Sequence, residues 1–188
     1  MHVQPAIGIP SALAPGNLPV AETKAPENGW RCILVAEDDA DDVFLLRRAC
    51  QKAGLGHRVM DVVDGESVVE YLNGSPPFDD RARYPFPDLL LLDLKMPRMN
   101  GFEVLAWLTA RPNLNVFPVV VLSSSPLEAD REKVTRLGAR EFQTKPGEVS
   151  ELMALLRSLH ERWLSAGPPT LRNRASVVQP QPGVAARV

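Results

Sequence analysis

Short apolar runs alternate with segments of amphipathic, helical spacing through the middle of the chain. Five runs predict strands: CILVA, RVMDV, LLLL, VVVL and EFQT, at residues 32–36, 58–62, 89–92, 119–122 and 141–144. Four of them lack polar alternation, which is typical of parallel strands covered on both faces, whereas the more polar EFQT suits a sheet edge. Because a helical segment follows each run, the pattern predicts an α/β fold with a doubly wound, five-stranded parallel sheet.

Stop and start signals agree with this division. Gly54 and Gly138 stand where the first and the fourth helices should end. Ser125 fits the N-cap of the fourth helix, because a proline follows it and Glu128 completes a capping box. The connection at residues 73–87 is long and contains four prolines, so we interpret it as either functional or disordered.

The two flanks differ from this middle part. Residues 1–29 contain five prolines and residues 165–188 contain four, out of 18 in the chain, and neither flank shows a periodic apolar pattern. We expect both flanks to be disordered, which leaves one folded domain at residues 30–164.

Polar side chains follow four of the five predicted strands. The first strand is followed by Glu37 and Asp38, the third by Asp93, the fourth by Ser123 and the fifth by Lys145. In open α/β sheets ligands bind beyond the carboxyl ends of the strands, so these groups should meet at one edge. Crowded carboxylates either raise one another's pKa values or bind a hard cation, and an all-oxygen set favours Mg²⁺. A metal, a lysine and a hydroxyl around one carboxylate predict phosphoryl transfer, with Asp93 as the nucleophile that forms an acyl phosphate.

These segments resemble the receiver domain of two-component response regulators, the CheY-like family. The matching motifs are ILVAEDDADD, LLLLDLKMPRMNG, VVVLSSS and QTKP, whose order and spacing agree with the family over residues 31–164. The resemblance implies a flavodoxin-like (βα)5 fold with strand order 2-1-3-4-5. It also implies a single-domain response regulator of a two-component phosphorelay, a phosphoacceptor switch that is not a conventional enzyme.

The resemblance implies a role for each acidic residue at this edge. Asp93 would accept a phosphoryl group from a histidine kinase, with Mg²⁺ as the cofactor. Glu37 and Asp38 would bind Mg²⁺ together with Asp93, Asp38 as a direct ligand, and the main-chain carbonyl of Lys95 would be a further ligand. Lys95 replaces the small or polar residue that is common in the family, and we expect it to form an ion pair with Glu37.

Three further roles follow from the same resemblance. Ser123 would contact the phosphoryl oxygens, and Lys145 would pair with the phosphate. The peptide bond between Lys145 and Pro146 would be cis. Phe142 stands at the position of the aromatic switch residue, although an aromatic side chain on an edge strand is equally typical of a core or an interface.

A narrower resemblance concerns the partner. The segments DDVFLLRRA, VVDGES and RARYPFPDLLLLDL look like single-domain regulators that are paired with phytochrome-type kinases. This implies a light- or redox-sensing histidine kinase of the bacteriophytochrome type as partner, and a homodimer. The output would pass to a downstream phosphotransfer protein or target protein.

Composition and charge narrow the class further. The formal net charge of −2 gives no reason to expect nucleic acid as a partner. No membrane partner is expected either, since no run approaches the roughly 18 apolar residues of a membrane span. Cys32 and Cys50 lie in apolar segments and are predicted core residues of a reducing compartment, so we expect a cytoplasmic protein.

Other charged residues have simpler explanations. Asp39, Asp41 and Asp42 suit a helix N-terminus or a solvated face. His57 and His160 lack the spacing of metal ligands, and we interpret them as surface or core residues.

Three other functions fit parts of the pattern. A haloacid-dehalogenase-type aspartyl-phosphate hydrolase also uses an aspartate after a strand, but it needs a second aspartate where Lys95 stands. A flavin-binding, flavodoxin-like protein needs a first loop that cradles phosphate, whereas EDDADD would repel it. A receiver that acts as a scaffold without phosphorylation would not need the intact set of Asp38, Asp93, Ser123 and Lys145.

Overall fold

The computed structural model of the protein describes residues 31–125 and 127–165. Its strands are β1 (Cys32–Ala36), β2 (Arg58–Val62), β3 (Leu89–Leu92), β4 (Val119–Ser123) and β5 (Glu141–Thr144). Its helices are α1 (Ala40–Lys52), α2 (Gly65–Asn73), α3 (Gly101–Thr109), α4 (Glu128–Arg136) and α5 (Val149–Leu159), and a π-helical turn (His160–Leu164) extends α5.

All five strands lie in one parallel sheet with the order β2-β1-β3-β4-β5. This confirms the predicted fold class and strand order, and β4 is one residue longer than predicted because Ser123 pairs with Thr144. The central strand β3 is paired on both sides, with Leu91 opposite Val35 of β1 and Val120 of β4. The chain order reverses between β1 and β3, which is where ligands bind in open α/β sheets.

The leucine run of β3 lies at the centre of two apolar layers, one on each face of the sheet. Leu90 and Leu92 pack in the layer that includes α2 and α3, and Leu89 and Leu91 pack in the layer that includes α1 and α5. The side chains alternate because successive Cβ atoms of a strand point to opposite faces. All four leucines are at most 1% exposed, and burying each stabilises the fold by about 1.5–3 kcal/mol. The next residue, Asp93, therefore follows a rigid strand.

Local sequence signals explain where α1 and α4 end, but not where α4 begins. Gly54 and Gly138 follow α1 and α4 with φ angles of 74° and 90°, a conformation that favours glycine, and this confirms their predicted role. The prediction that Ser125 caps α4 is wrong, because Leu127 stands at the N-cap without a side-chain hydrogen bond. The Ser125 hydroxyl donates instead to Oδ2 of Asp130 at 2.9 Å. The charged Asp130 carboxylate thus binds the Ser125 hydroxyl, which was predicted to accept from a main-chain N–H of α4. The helix begins two residues later than predicted.

The long connection between α2 and β3 packs against the end of α2. The two terminal nitrogens of Arg81 donate to the main-chain oxygens of Tyr71 and Leu72 at 2.8 and 2.9 Å, where the helix leaves carbonyl groups free. The Tyr71 hydroxyl donates to the main-chain oxygen of Pro85 at 2.8 Å, and its ring lies 5.2 Å from the ring of Phe78. The connection is thus ordered by its own side chains.

Other predictions concern regions away from the sheet edge. The flanks at residues 1–29 and 165–188, apart from Ser165, lie outside the described residues, so their disorder stays a prediction. Cys32 and Cys50 are both buried free thiols, as expected. Within the described ranges, no helix combines the length and the apolar character that crossing a membrane requires.

Candidate functional site

The carboxyl edge of the sheet is held together by main-chain hydrogen bonds that continue past the strands. The Asp93 nitrogen donates to the Ala36 oxygen at 3.0 Å, and the Lys145 nitrogen donates to the Ser123 oxygen at 2.9 Å. The Glu37 nitrogen donates to the last residue of β2 at 3.0 Å. Because the backbone of each residue is fixed by its neighbouring strand, the structure brings these side chains to the edge that the sequence indicates.

Three carboxylates form an acidic cluster at this edge: Glu37, Asp38 and Asp93. Each offers an oxygen within 4.8 Å of the other two. Glu37 and Asp93 are 6% and 5% exposed, whereas Asp38 is exposed to solvent. An all-oxygen set of this charge fits a hard divalent cation such as Mg²⁺, which keeps some of its water ligands on the open side. The donor set therefore fits the predicted metal.

Lys145 supplies the positive charge beside the acidic cluster. Its Nζ lies 2.6 Å from Oε2 of Glu37, 2.8 Å from Oδ2 of Asp42 and 3.5 Å from Oδ1 of Asp93. The Lys95 main-chain nitrogen donates to the other oxygen of Asp93, Oδ2, at 2.7 Å. Both oxygens of Asp93 thus face positive partners, but only one of them accepts a short hydrogen bond.

Burial and ion pairs act in opposite directions on the pKa values of Lys145 and Glu37. Burial alone would lower the pKa of Lys145, but hydrogen bonds to Asp42 and Glu37 and the charge of Asp93 outweigh burial and raise it above its ordinary value. Burial raises the pKa of Glu37, and Lys145 only partly offsets this. Lys145 therefore stays charged, and a second cation beside Glu37 would stabilise the charged form of its carboxylate.

Two expectations about this region are wrong, and a third omits a contact. Lys95 is exposed and forms no ion pair with Glu37 in the part of the chain that the structure describes, because Lys145 holds that carboxylate. The peptide bond between Lys145 and Pro146 is trans. Asp42 lies in the first turn of α1, as expected, and its partly exposed side chain also contacts Lys145, which was not predicted. The sequence signal for this contact is the position of Asp42 in the first turn of α1, three residues after the N-cap and next to the end of β1.

Ser123 and Phe142 are placed on neighbouring strands with their side chains enclosed. Ser123 is fully buried, and its Oγ accepts from the Ser125 nitrogen at 3.1 Å. No hydrogen bond joins Ser123 to Asp93 among residues 31–125 and 127–165. Phe142 is 6% exposed, with the Arg131 guanidinium 4.8 Å from the centre of its ring. In this conformation both side chains are held by the β4–α4 connection and α4.

The loop that follows Asp93 fits closely against its surroundings through two glycines. A Cβ atom on Gly101 would lie 2.3 Å from the Asp93 main-chain oxygen, and one on Gly65 would lie 2.4 Å from the Met99 oxygen. Arg98 of the same loop forms an ion pair with the buried Asp64 that caps α2. At both glycine positions the packing leaves no room for a side chain, and this close packing fixes the backbone around Asp93.

A small apolar cavity of about 60 Å³ borders the ionic groups. Apart from Glu37, Asp42, Asp93 and Lys145, it is lined by Val35, Ala36, Leu45, Leu46, Leu91, Leu122, Pro146 and Leu152. Apolar surroundings have a low effective dielectric constant, so they strengthen the attraction between Lys145 and the carboxylates.

A second polar pair lies near the amino end of the sheet, away from the acidic cluster. Nε2 of His57, just before β2, is 2.8 Å from Nδ1 of His160 in the turn that extends α5. Burial, together with the charges of His160 and Arg31, lowers the pKa of His57 to about 4. Nothing in the spacing of the two histidines indicated this pair.

Comparisons with known proteins agree with this architecture. The family model described as "response regulator receiver domain" matches residues 33–157. Response regulator Rcp1 of Synechocystis is 29% identical over 137 residues, which are 73% of this chain and 91% of Rcp1. The crystal structure of its Mn²⁺-bound form is similar with a TM-score of 0.64 at 27% identity, and covers 74% of this chain and 99% of that one.

Two further solved structures are similar at higher identity. The phosphorylated cyanobacterial phytochrome response regulator RcpA is 34% identical with a TM-score of 0.67, and the match covers 76% of this chain and all of that one. Response regulator RPA3017, from red light signaling of R. palustris, is 30% identical with a TM-score of 0.70, and the match covers 74% of this chain and 99% of that one.

Proposed function

The chain belongs to the response regulator receiver domain family, and from this membership we propose that it accepts a phosphoryl group on Asp93 from a histidine kinase. The observation that carries the proposal is the convergence of the acidic cluster and Lys145 around Asp93. Asp93 is 5% exposed, and the hydrogen bond from the Lys95 nitrogen to Oδ2 orients its carboxylate. A buried nucleophile with a cation on one side is suited to an anionic phosphoryl group.

The transfer itself needs little from the protein beyond position and charge. One oxygen of Asp93 bonds to phosphorus as the phosphorus–nitrogen bond of the donor histidine breaks, and the bonding electrons stay on that nitrogen. Lys145 offsets charge on the phosphoryl oxygens, and the Lys95 N–H keeps its bond to the carboxylate. Hydrolysis later returns Asp93 to a carboxylate, so the protein catalyses only its own phosphorylation and dephosphorylation.

We assign Mg²⁺ to Glu37, Asp38, Asp93 and the main-chain carbonyl of Lys95. The assignment is supported by the donor chemistry of the acidic cluster and by the Mn²⁺-bound form of the similar protein Rcp1. When bound, the ion supplies positive charge that neutralises the carboxylates and the incoming phosphoryl oxygens.

The switch would run from the phosphoryl group to the β4–α4 connection. The Ser123 Oγ accepts a hydrogen bond from the Ser125 nitrogen and keeps its own O–H to donate, so a shift of Ser123 toward a phosphoryl oxygen would move this connection with it. Phe142 lies under Arg131 of α4, so a change in this connection alters the packing of the aromatic ring. Phosphorylation would then favour one of two arrangements of this surface, which a partner protein reads.

The proposed partner is a phytochrome-type histidine kinase in the cytoplasm, with output to a downstream phosphotransfer or target protein and with a homodimer as the assembly. Support comes from the likeness to RcpA, which is named as a phytochrome response regulator, and to RPA3017 of red light signaling. Phosphotransfer from a panel of purified kinases tests this: a phytochrome-type kinase should transfer fastest.

The site assignment is tested by incubating the protein with acetyl phosphate and Mg²⁺ and measuring its intact mass. We expect one adduct of about 80 Da, a single phosphoryl group, that is stable in acid and labile in base. The adduct should be absent from Asp93→Asn and from samples with EDTA, but present in Asp41→Asn, a control at an exposed acidic residue of α1. Steady turnover of many phosphate esters without an adduct would favour the hydrolase instead.

A further inference from the structure

Asp42 contacts the lysine of the site, although the resemblance gives this aspartate no role. Its Oδ2 accepts a hydrogen bond from Lys145 Nζ at 2.8 Å. Asp42 lies in the first turn of α1, and Lys145 follows β5, so the contact joins residues 103 positions apart. The pair therefore links the first helix to the end of the last strand, directly beside Asp93.

The position of Asp42 on the helix explains why it reaches the site while its neighbour does not. Asp39 is the N-cap of α1, which places Asp42 at the third helical position and four residues after Asp38. Successive positions of a helix point about 100° apart, so Asp41 and Asp42 cannot both face Lys145. Asp41 is exposed and forms no ion pair within the described part of the chain. The two adjacent aspartates carry the same charge but differ in their contact with Lys145.

The distances show how Asp42 affects Asp93. An ammonium group has three N–H donors, and Lys145 uses two of them on Glu37 at 2.6 Å and on Asp42 at 2.8 Å. Oδ1 of Asp93 lies at 3.5 Å, beyond the usual range of an N–H···O bond. The third donor makes no short bond to these carboxylates. Without Asp42, only Glu37 and Asp93 would attract the ammonium, so Nζ should move toward Oδ1 of Asp93.

We propose that Asp42 is a positioning residue that holds the Lys145 ammonium off the carboxylate of Asp93. A direct charge-assisted bond from Lys145 would tie up the oxygen electrons that must attack phosphorus. At 3.5 Å the ammonium makes no short bond to Oδ1 of Asp93, so its third N–H stays available to a phosphoryl oxygen carried by that carboxylate. This inference rests on the proposed phosphorylation of Asp93, and it adds a residue that sets the geometry of that reaction.

The test compares Asp42→Ala with Asp41→Ala, which removes the same charge one residue away. Both proteins are phosphorylated with acetyl phosphate at saturating Mg²⁺, and the rate of adduct formation is followed by intact mass. We expect Asp42→Ala to react about threefold more slowly than Asp41→Ala, the effect expected of a partly exposed ion pair. Asp42→Glu should restore most of the rate, because it returns a carboxylate to the same helix face.

Two further measurements separate positioning from a general change of charge. In a Lys145→Ala background, adding Asp42→Ala should leave the rate unchanged, since a double-mutant cycle removes effects that need both residues. A crystal structure of Asp42→Ala should show Nζ of Lys145 within hydrogen-bond distance of Oδ1 of Asp93. The inference is overturned if Asp42→Ala reacts as fast as Asp41→Ala, if its loss persists without Lys145, or if that distance stays at 3.5 Å. An unphosphorylated wild type would refute the proposed function alone, because the crystallographic distance tests the positioning independently.

Discussion

Replacing Lys145 with methionine removes the cation around which the site is packed while keeping a side chain of similar length. Glu37 and Asp93 would then remain 6% and 5% exposed without the ammonium that lies 2.6 and 3.5 Å from them. The methionine would lie beside a cavity that is already lined by apolar side chains. The main effect should therefore be on the carboxylates and not on packing.

The size of the loss follows from burial. Removing one partner of a buried ion pair costs about 3–5 kcal/mol, but the Lys145 side chain is 19% exposed and water can reach it. We therefore expect the free energy of unfolding at pH 8 to fall by about 2 kcal/mol, in the absence of divalent cations. For a domain of this size, that corresponds to a decrease in Tm of about 7 °C.

The loss should depend on pH because Glu37 can take up a proton. Its pKa already lies above the ordinary value of 4.5 through burial, and removing Lys145 raises it further. A raised carboxyl pKa makes the folded state bind more protons than the unfolded state, so stability decreases as pH rises from 4.5 to the raised pKa. Lys145→Met should therefore be nearly as stable as wild type at pH 4.5 and clearly less stable at pH 8.

Urea unfolding followed by tryptophan fluorescence, with EDTA at both pH values, measures this difference. Lys95→Met is the matched control, because Lys95 follows Asp93 by two residues and its side chain is exposed. This substitution should change the free energy of unfolding by less than about 0.5 kcal/mol. A Lys145→Met protein as stable as Lys95→Met at pH 8 would refute the reasoning. The reasoning would also be refuted if the two proteins differed in stability by as much at pH 4.5 as at pH 8.

Three other substitutions test the packing around the site and the second polar pair. Gly101→Ala should lower the free energy of unfolding by about 2 kcal/mol, because its Cβ would lie 2.3 Å from a main-chain oxygen. The control is Gly147→Ala, whose Cβ would meet nothing within 4 Å and which should be neutral in the same urea experiment. Tyr71→Phe should cost about 1 kcal/mol, since it removes a buried hydrogen bond of 2.8 Å, and a cost near zero would mean that this bond does not hold the α2–β3 connection. His57→Phe should reduce the stability lost between pH 7 and pH 4.5 by about 2 kcal/mol relative to wild type. The pKa of His57 falls from 6.5 to about 4 on folding, so the folded state binds fewer protons over this range, and parallel pH profiles of the two proteins would contradict it.

Much of the fold could be predicted because a buried parallel strand has to be apolar on both faces. For this reason the run Leu89–Leu92 predicts a strand. In the structure its four side chains alternate between the apolar layers on the two faces of the sheet. The convergence of Asp93 and Lys145 was also predictable, since the carboxyl ends of parallel strands lie along one edge. Their chemical roles remain predictions that the phosphorylation experiments test.

Contacts between side chains on different elements were decided by the tertiary structure alone. The pairs of Asp42 with Lys145 and of His57 with His160 each join residues 103 positions apart. Ser125 likewise carried the pattern of a helix cap but donates to Asp130 instead. A sequence pattern indicates whether each residue is buried or exposed. Which side chains form a contact depends on how a helix packs against the sheet and on how far each side chain extends. Those distances exist only once the layers have packed.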